Sequence, residues 1–382
     1  MENLKKKGNK KITSKDEILL FLYSHKRFKR QKKKNKNHIY KSICYFLIFL
    51  IILSIIIILF QILRKKYFIN NKEGELKLSY ISNTTILLIG MAKLENNYLR
   101  EWVEHYKKIG ITKIILCDNN PTDGENLSEP IKDYVDSNFV EIDEYYRGKP
   151  YIQLDCYIKH FQNNHMKYDW ITINDIDEFI FLENGSGYIN IQQFLDEPIF
   201  NDTDNIILTW KYYDDNDILD VVDGNYNVLK RFTHHDPSKY KGDPNCLSKA
   251  IYKGKVERNY RIGNHCIQGF KDAQSGRKYV FRKADGKIME FKDIGWCFYN
   301  FNRTHFPVSI HHFQLKSIGE YVKNKMLKNE KSEPHKYNFK FFFNMNKLTK
   351  EKVKYALKLL NKDKLKTEQY NIDDFINKTI ES

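Results

Sequence analysis

Two aspartates, Asp175 and Asp177, stand one residue apart in the segment NDIDEF. In an extended backbone, residues i and i+2 point to the same side, so both carboxylates face one place. Two such groups a few ångströms apart repel each other unless a positive charge neutralises them. A divalent cation with oxygen ligands does this, and it can also bridge a diphosphate. The pair therefore predicts a divalent metal site that meets a diphosphate.

The Asp-x-Asp spacing alone is weak, because acidic clusters are common in loops. Two other clusters are present, Asp214–Asp215–Asp217 and Asp373–Asp374. The pair at Asp175 and Asp177 differs from them because it directly follows an apolar strand, Trp170–Ile173, the third strand of an α/β series. Its position therefore favours this pair as the metal site.

The elements ahead of the pair alternate in type. The strand Thr85–Met91 and the strand Lys113–Cys117 are apolar, which indicates burial on both faces. Between them, one helical face carries Leu99, Trp102, Val103, Tyr106 and Ile109. Gly110 follows where a C-terminal cap belongs. Strand, helix and strand predict a parallel sheet whose ligands lie at the carboxyl ends of the strands, next to Glu95 and Asp118.

The rest of the chain predicts a mixed, mainly parallel α/β sheet flanked by helices. Further strands are expected at Asn205–Trp210, Val228–Phe232 and Ser248–Tyr252, and helices at Ile152–Phe161 and 349–362. The sequence contains neither GxxxxGK[ST] nor GxGxxG, so P-loop and Rossmann cofactor sites have no support.

Residues 43–63 form an uncharged, almost wholly apolar stretch that is long enough to span a bilayer as a helix. A signal peptide is the alternative, but its apolar core is shorter and lies nearer the start. Nine Lys/Arg lie in residues 26–41, against Arg64, Lys65 and Lys66 after the stretch. The positive-inside rule then predicts a type II protein, with residues 64–382 in the lumen of the endoplasmic reticulum or Golgi. The bilayer is thus one expected partner.

The charge distribution argues against a nucleic-acid binder. The chain carries +16, but +12 of this lies in residues 1–41 and only +4 after residue 63. A nearly balanced charge after residue 63 does not suit a protein whose main function is to bind a nucleic-acid phosphate backbone. No CxxC spacing occurs, which disfavours a structural zinc site, and one or two disulfides are expected whose pairing the sequence does not fix.

Several segments together resemble glycosyltransferase family 92 and related family-2-like transferases. They are MAKLENNYLREWVEHYKKIGITKIILCDNNPTDG, YDWITINDIDEFIFL, ILTWKYY, VLKRFTH, SKAIYKG, GNHC and SIHHFQLKSIGEYVKNKM. The resemblance covers residues 84–327. Departures from the family pattern are Leu94 where Asn is usual, Phe313 where Tyr is usual, and a loop after Trp210 that lacks glycine.

The resemblance implies a GT-A-like fold, a nucleotide-sugar donor that is UDP-linked, and Mn²⁺ or Mg²⁺ as cofactor. Glu95, Asp118 and Asp175 would bind the nucleotide sugar. Asp177 would be the direct metal ligand, and His312 the second ligand, with His311 as the alternative. Lys316 would stabilise the leaving diphosphate.

An inverting transfer also needs a general base for the acceptor hydroxyl. Candidates among the carboxylates after the metal motif are Asp214, Asp215, Asp236 and Asp272. The sequence does not choose among them, so the base stays unassigned. Trp102 and Phe179 are expected in the core, and His265 and Cys266 are expected to be structural.

The sequence is thus interpreted as a membrane-anchored, metal-dependent glycosyltransferase that acts on a glycan or glycoprotein, with UDP-galactose as one candidate donor. The expected organisation is a basic tail (1–42), a membrane helix (43–63), a stem (64–82), a catalytic domain (83–345) and a helical segment (346–382). The alternatives are a metal-dependent nucleotidyl- or phosphotransferase and an inactive glycan-binding module.

Overall fold

A computed structural model describes residues 82–235 and 248–362, apart from 258, 270, 273, 290–303, 328–338 and 345. Among these residues, no helix is both long and apolar enough to cross a bilayer. The predicted membrane helix at 43–63 lies outside them, as do the tail and nearly all of the stem.

Nine strands of the described region form one mixed sheet. They are β1 Ile86–Ala92, β2 Lys113–Asp118, β3 Val140–Asp143, β4 Trp170–Ile173, β5 Glu178–Leu182, β6 Asn205–Tyr212, β7 Ser248–Lys253, β8 Phe281–Lys283 and β9 Val308–His312. The order is β3-β2-β1-β4-β7-β6-β9-β5, and β8 pairs with the first half of β6. Strands β1 to β4 are parallel, whereas β7 runs antiparallel to both β4 and β6. The predicted mixed, mainly parallel sheet is confirmed.

Helices flank the sheet. They are α1 Asn96–Lys108, α2 Lys132–Asp136, α3 Gln153–Asn164, α4 Ile191–Leu195, α5 Val228–Arg231, α6 Ile318–Tyr321, α7 Phe339–Phe343 and α8 Lys350–Lys362. A π-helical turn, Val322–Leu327, continues α6. Helix α1 packs on the sheet through the predicted apolar face, and Gly110 ends it at φ +100°. The predicted helices near residues 152–161 and 349–362 are also present.

One predicted strand is wrong. Residues 228–231 form the short helix α5 rather than a strand. The carboxylate of Glu101 in α1 accepts the backbone N–H groups of Val228 and Leu229, at 2.7 and 3.1 Å. The Asn227 side chain caps the same turn by accepting the N–H of Lys230. These contacts satisfy the N–H groups that a helix start leaves open, so tertiary contacts outweigh the β-type residue pattern.

The core lies on both sides of the sheet. Trp102, Tyr106 and Phe179 are fully buried on the α1 side, which confirms the two core residues that the sequence predicted. Gly90 in β1 makes the close approach possible, because a Cβ there would lie 3.0 Å from the Trp102 ring and 3.2 Å from the Asn174 carbonyl oxygen. Helix α1 is thereby seated directly against the loop that leaves β4.

Candidate active site

The predicted ligands meet at the carboxyl edge of the parallel strands. Ala92 at the end of β1 is in register with Asp118 at the end of β2. The N–H of Asn174 donates to the Ile89 carbonyl, so the chain leaves β4 beside the end of β1. Asp175 and Asp177 therefore start at the ligand-binding edge that the topology predicts.

Helix α1 fixes the acidic loop through the backbone. The indole N–H of Trp102 donates to the carbonyl oxygens of Asp175 and Glu178, at 3.0 and 3.1 Å. The hydroxyl of Tyr106 donates to the same Glu178 carbonyl at 3.0 Å. Both aromatic rings are fully buried, so the loop is held by the core itself.

Asp175 is held on three sides. Its Oδ1 accepts hydrogen bonds from the Gln153 amide and the Tyr157 hydroxyl, both at 2.9 Å, and its Oδ2 lies 3.1 Å from the Lys249 ammonium. Burial would raise the pKa of Asp175, but the Lys249 charge together with the hydrogen bonds from Lys249 and Tyr157 keeps the pKa below its usual range. The side chain remains 34% exposed, so a ligand can still reach it.

Lys249 is a fully buried cation to which no sequence motif pointed. Its ammonium bridges Asp175 and Glu178, the latter at 3.3 Å. Burial raises the pKa of Glu178 well above its usual range, although the Lys249 charge opposes the rise. Glu178 also accepts the backbone N–H of Asp175 at 3.0 Å. Lys249 and Glu178 thus set the position of Asp175.

Asp177 and His312 are brought together although 134 residues separate them in the chain. Strand β9 pairs with β5 so that His312 stands opposite Glu178, and the N–H of Phe313 donates to the Asp177 carbonyl. His312 Nε2 lies 3.5 Å from Asp177 Oδ1, and Lys325 Nζ lies 3.0 Å from Oδ2. Burial would raise the pKa of Asp177, but Lys325 and His312 hold it well below its usual range.

His312 lies in an aromatic setting. Its ring packs against Trp210 and Tyr212, with centroids 4.4 and 5.0 Å apart. Burial lowers the pKa of His312 despite the Asp177 charge, so the imidazole is neutral at neutral pH. Its Nδ1 is buried and has no hydrogen-bond partner among the described residues.

His311 points to the other face of β9. Its Nε2 lies 3.1 Å from Glu183, its Nδ1 lies 2.9 Å from the Tyr213 hydroxyl, and its ring stacks on Phe181. Both ring nitrogens are therefore engaged away from Asp177. Of the two histidines, only His312 lies at the acidic pair.

Lys316 is buried beside the same group. Its ammonium lies 4.5 Å from the centre of the Tyr98 ring, and its backbone has φ +55°. Burial lowers the pKa of Lys316, while the charges of Asp177 and Glu95 act in the opposite direction. Glu95 itself stands at the N-terminus of α1 without capping it through its side chain.

Asp118 is buried, and both of its carboxylate oxygens have partners. Its Oδ2 pairs with Arg147, and its Oδ1 accepts the N–H of Asn120 at 2.8 Å. Arg147 also donates to the carbonyls of Pro121 and Glu125. In this structure Asp118 therefore supports the loop after β2.

The four candidates for the general base differ in their burial and their partners. Asp215 is buried against Lys352, with 2.7 Å between Oδ2 and Nζ. Asp272 accepts the backbone N–H groups of Asn259 and Ser275, so it stabilises a turn. Asp214 pairs with His234, whose side chain is 61% exposed. Asp236 lies outside the described residues.

His265 packs beside the strand that carries Lys249. Its Nδ1 is 3.0 Å from the Ser248 carbonyl oxygen, and its ring packs on Trp210 at 5.4 Å. Burial and the Lys249 charge lower its pKa to about 4. The imidazole is thus neutral and lies beside the residues that hold Asp175.

A disulfide links Cys117, next to Asp118, to Cys156 in α3. Helix α3 also carries Gln153 and Tyr157, which contact Asp175, so the bond joins two sides of the site. His160 lies near these two sulfurs, but cysteines joined to each other do not ligate a metal.

The donor atoms near Asp177 suit a divalent cation that binds together with a phosphate-bearing ligand. Within the described residues, the site offers Asp177 Oδ1 and His312 Nε2, an ionised carboxylate and a neutral imidazole. Two protein ligands leave coordination positions for phosphate oxygens and water, as is usual for ions that bind with a nucleotide. Mn²⁺ accepts both nitrogen and oxygen ligands.

One known protein family matches most of the described region. The profile described as Glycosyltransferase family 92 matches residues 90–340, about two thirds of the chain. Among curated proteins, no sequence is significantly similar.

Two solved structures are distantly similar. S. aureus TarS shares 11% identity at a TM-score of 0.28, over 44% of this chain and 28% of that one. The mannosyltransferase PcManGT from Pyrobaculum calidifontis, in complex with GDP-Man and Mn²⁺, shares 10% at 0.24, over 39% and 41%. The chain thus spans less than half the length of either protein, and the family match is the informative comparison.

Proposed function

This chain belongs to glycosyltransferase family 92, and we propose that it transfers a sugar from a UDP-linked donor to a glycan or glycoprotein acceptor. The observation that carries the proposal is the pairing of Asp177 with His312 between two lysines, Lys316 and Lys325. A carboxylate and a neutral imidazole suit a divalent cation, and flanking ammonium groups suit the anionic phosphates beside it.

Each residue has a distinct task in this proposal. Asp177 and His312 hold Mn²⁺, which when bound stabilises the charge that develops on the leaving diphosphate. Lys316 presents its ammonium to the same diphosphate. Asp175, still partly exposed, contacts the ribose, and Lys249 fixes its orientation. Glu95, which precedes α1 shortly after β1, contacts the nucleoside in this proposal.

Release of UDP from UDP-sugars by the purified full-length chain tests the proposal. We expect one member of a donor panel that includes UDP-galactose to release UDP with Mn²⁺ and not with EDTA. An anomeric assignment of the product then tests the inverting course. Turnover of nucleoside triphosphates instead of UDP-sugars would contradict sugar transfer, and equal turnover with EDTA would contradict the metal.

We also propose that residues 64–382 lie in the secretory lumen, anchored by residues 43–63. The Cys117–Cys156 disulfide supports an oxidising compartment, which agrees with the flanking charges in the sequence. In sealed microsomes, added protease is expected to leave the large fragment intact. Digestion of that fragment before detergent is added would contradict this topology.

A further inference from the structure

Lys325 contacts Asp177, the proposed metal ligand, directly. Its Nζ is 3.0 Å from Asp177 Oδ2, and its side chain is 20% exposed. It belongs to the π-helical turn Val322–Leu327, and such turns are frequent at functional sites. No sequence motif pointed to this lysine.

The backbone that carries Lys325 is firmly held. Ser317 and Glu320 form a capping box at the start of α6, and Arg231 binds Glu320 through both guanidinium nitrogens, at 2.6 and 2.9 Å. Asn324 donates to the Tyr98 hydroxyl at 3.1 Å. Any movement of the ammonium must therefore come from its flexible four-carbon stem.

The charges around Asp177 disfavour the binding of a divalent cation that arrives without an anionic ligand. Lys325 already neutralises Asp177, and Lys316 is close enough for its charge to act on the same carboxylate. A divalent cation at Asp177 would therefore face two ammonium groups across a partly desolvated site. A diphosphate changes this balance, because its anionic oxygens can bind the metal and an ammonium together.

We propose that Lys325 and the divalent cation compete for Asp177, so that the cation binds tightly only together with a nucleoside diphosphate that receives the displaced ammonium. This inference rests on the proposed metal-dependent function. The exchange breaks one ion pair, Lys325–Asp177, and forms a metal–carboxylate bond and an ammonium–phosphate pair. Because coupling between two ligands is reciprocal, Mn²⁺ and UDP must raise each other's affinity.

Titration of Mn²⁺ into the purified full-length chain, followed by the electron paramagnetic resonance of free Mn²⁺, tests this competition. Without UDP, Lys325→Met is expected to bind Mn²⁺ about tenfold more tightly than the wild type, because the competing charge is gone. Lys325→Arg keeps a cation and should stay within a factor of about three of the wild type. Lys323→Met is the matched control, since Lys323 lies on the same turn but pairs with Asp220. It should leave Mn²⁺ affinity unchanged.

The outcomes separate the inference from the function on which it rests. Equal Mn²⁺ affinity in the wild type and Lys325→Met, with UDP-dependent binding in both, would overturn the competition and leave the metal site in place. Absence of Mn²⁺ binding in both proteins, with and without UDP, would overturn both. A third outcome is that UDP binds equally well with and without Mn²⁺, but no longer binds to Lys325→Met. This would show that the lysine replaces the metal, and it would also contradict the competition. Thermal unfolding of each variant checks that it is folded, and Lys325→Gln replaces Lys325→Met if that variant is not.

Discussion

Asp177→Asn is expected to lower sugar transfer at least about a hundredfold while the protein remains folded. Asparagine keeps the size and shape of the side chain but removes the charge that faces His312 at 3.5 Å and Lys325 at 3.0 Å. The measurement is UDP release from the preferred donor, with thermal unfolding in parallel. Asp202→Asn is the control, because Asp202 is an exposed carboxylate paired with Arg282.

His312→Ala is expected to lose a comparable factor, and the double variant with Asp177→Asn should lose little more than either alone. Residues that act through one metal ion are not additive. His311→Ala should instead keep its Mn²⁺ affinity, because His311 contacts Glu183 and Tyr213 on the other face. Full activity of His312→Ala together with loss of Mn²⁺ binding in His311→Ala would refute the ligand assignment.

Lys249→Met is expected to destabilise the protein by about 3–5 kcal/mol, since removing the ammonium leaves the ionised Asp175 carboxylate without its counter-charge. The Lys249 ammonium lies 3.1 Å from Asp175 and 3.3 Å from the fully buried Glu178. The measurement is the free energy of unfolding from urea titrations of both proteins.

Lys253→Met, on the same strand, is the control for that experiment. Lys253 Nζ lies 4.1 Å from the centre of the Trp170 ring, a contact worth about 0.5–1 kcal/mol at a partly exposed site. Adding Asp175→Asn to Lys249→Met should restore part of the lost stability, because it removes the ionised carboxylate that has lost its counter-charge. A loss below about 1 kcal/mol for Lys249→Met would contradict the role of Lys249 in holding the acidic loop.

Local sequence patterns were sufficient for three of the four parallel strands β1 to β4, and the strand Val140–Asp143 was not predicted. The strands at Ile86–Ala92, Lys113–Asp118 and Trp170–Ile173 lie within one residue of their predicted bounds, since each is an apolar run between clear turn signals. The helix Asn96–Lys108 buries the predicted face. The position of Asp175 and Asp177 at a strand end follows from these elements alone.

The strand pairing that brings His312 to Asp177 could not be predicted from the sequence. Strands Glu178–Leu182 and Val308–His312 are short, and their pairing joins distant parts of the chain. No local pattern encodes such a register. That pairing is also what separates His312 from His311, which the sequence left as alternatives.

Lysines that are partly or fully buried are the main feature of the site that the sequence did not reveal. A sequence shows that Lys249 and Lys325 are charged, but their burial depends on carboxylates 74 and 148 residues away. Charged residues are ordinarily assigned to the surface, and only a paired one is found inside. The partner of Asp118, Arg147, was missed for the same reason.

The most direct test of a metal-bridged diphosphate site is calorimetry of UDP binding to the full-length protein. With Mn²⁺ present, we expect binding that EDTA weakens about tenfold or more. Asp177→Asn with Mn²⁺ should show the same weak binding as the wild type with EDTA. Equal UDP affinity in all three conditions would contradict metal coordination at Asp177.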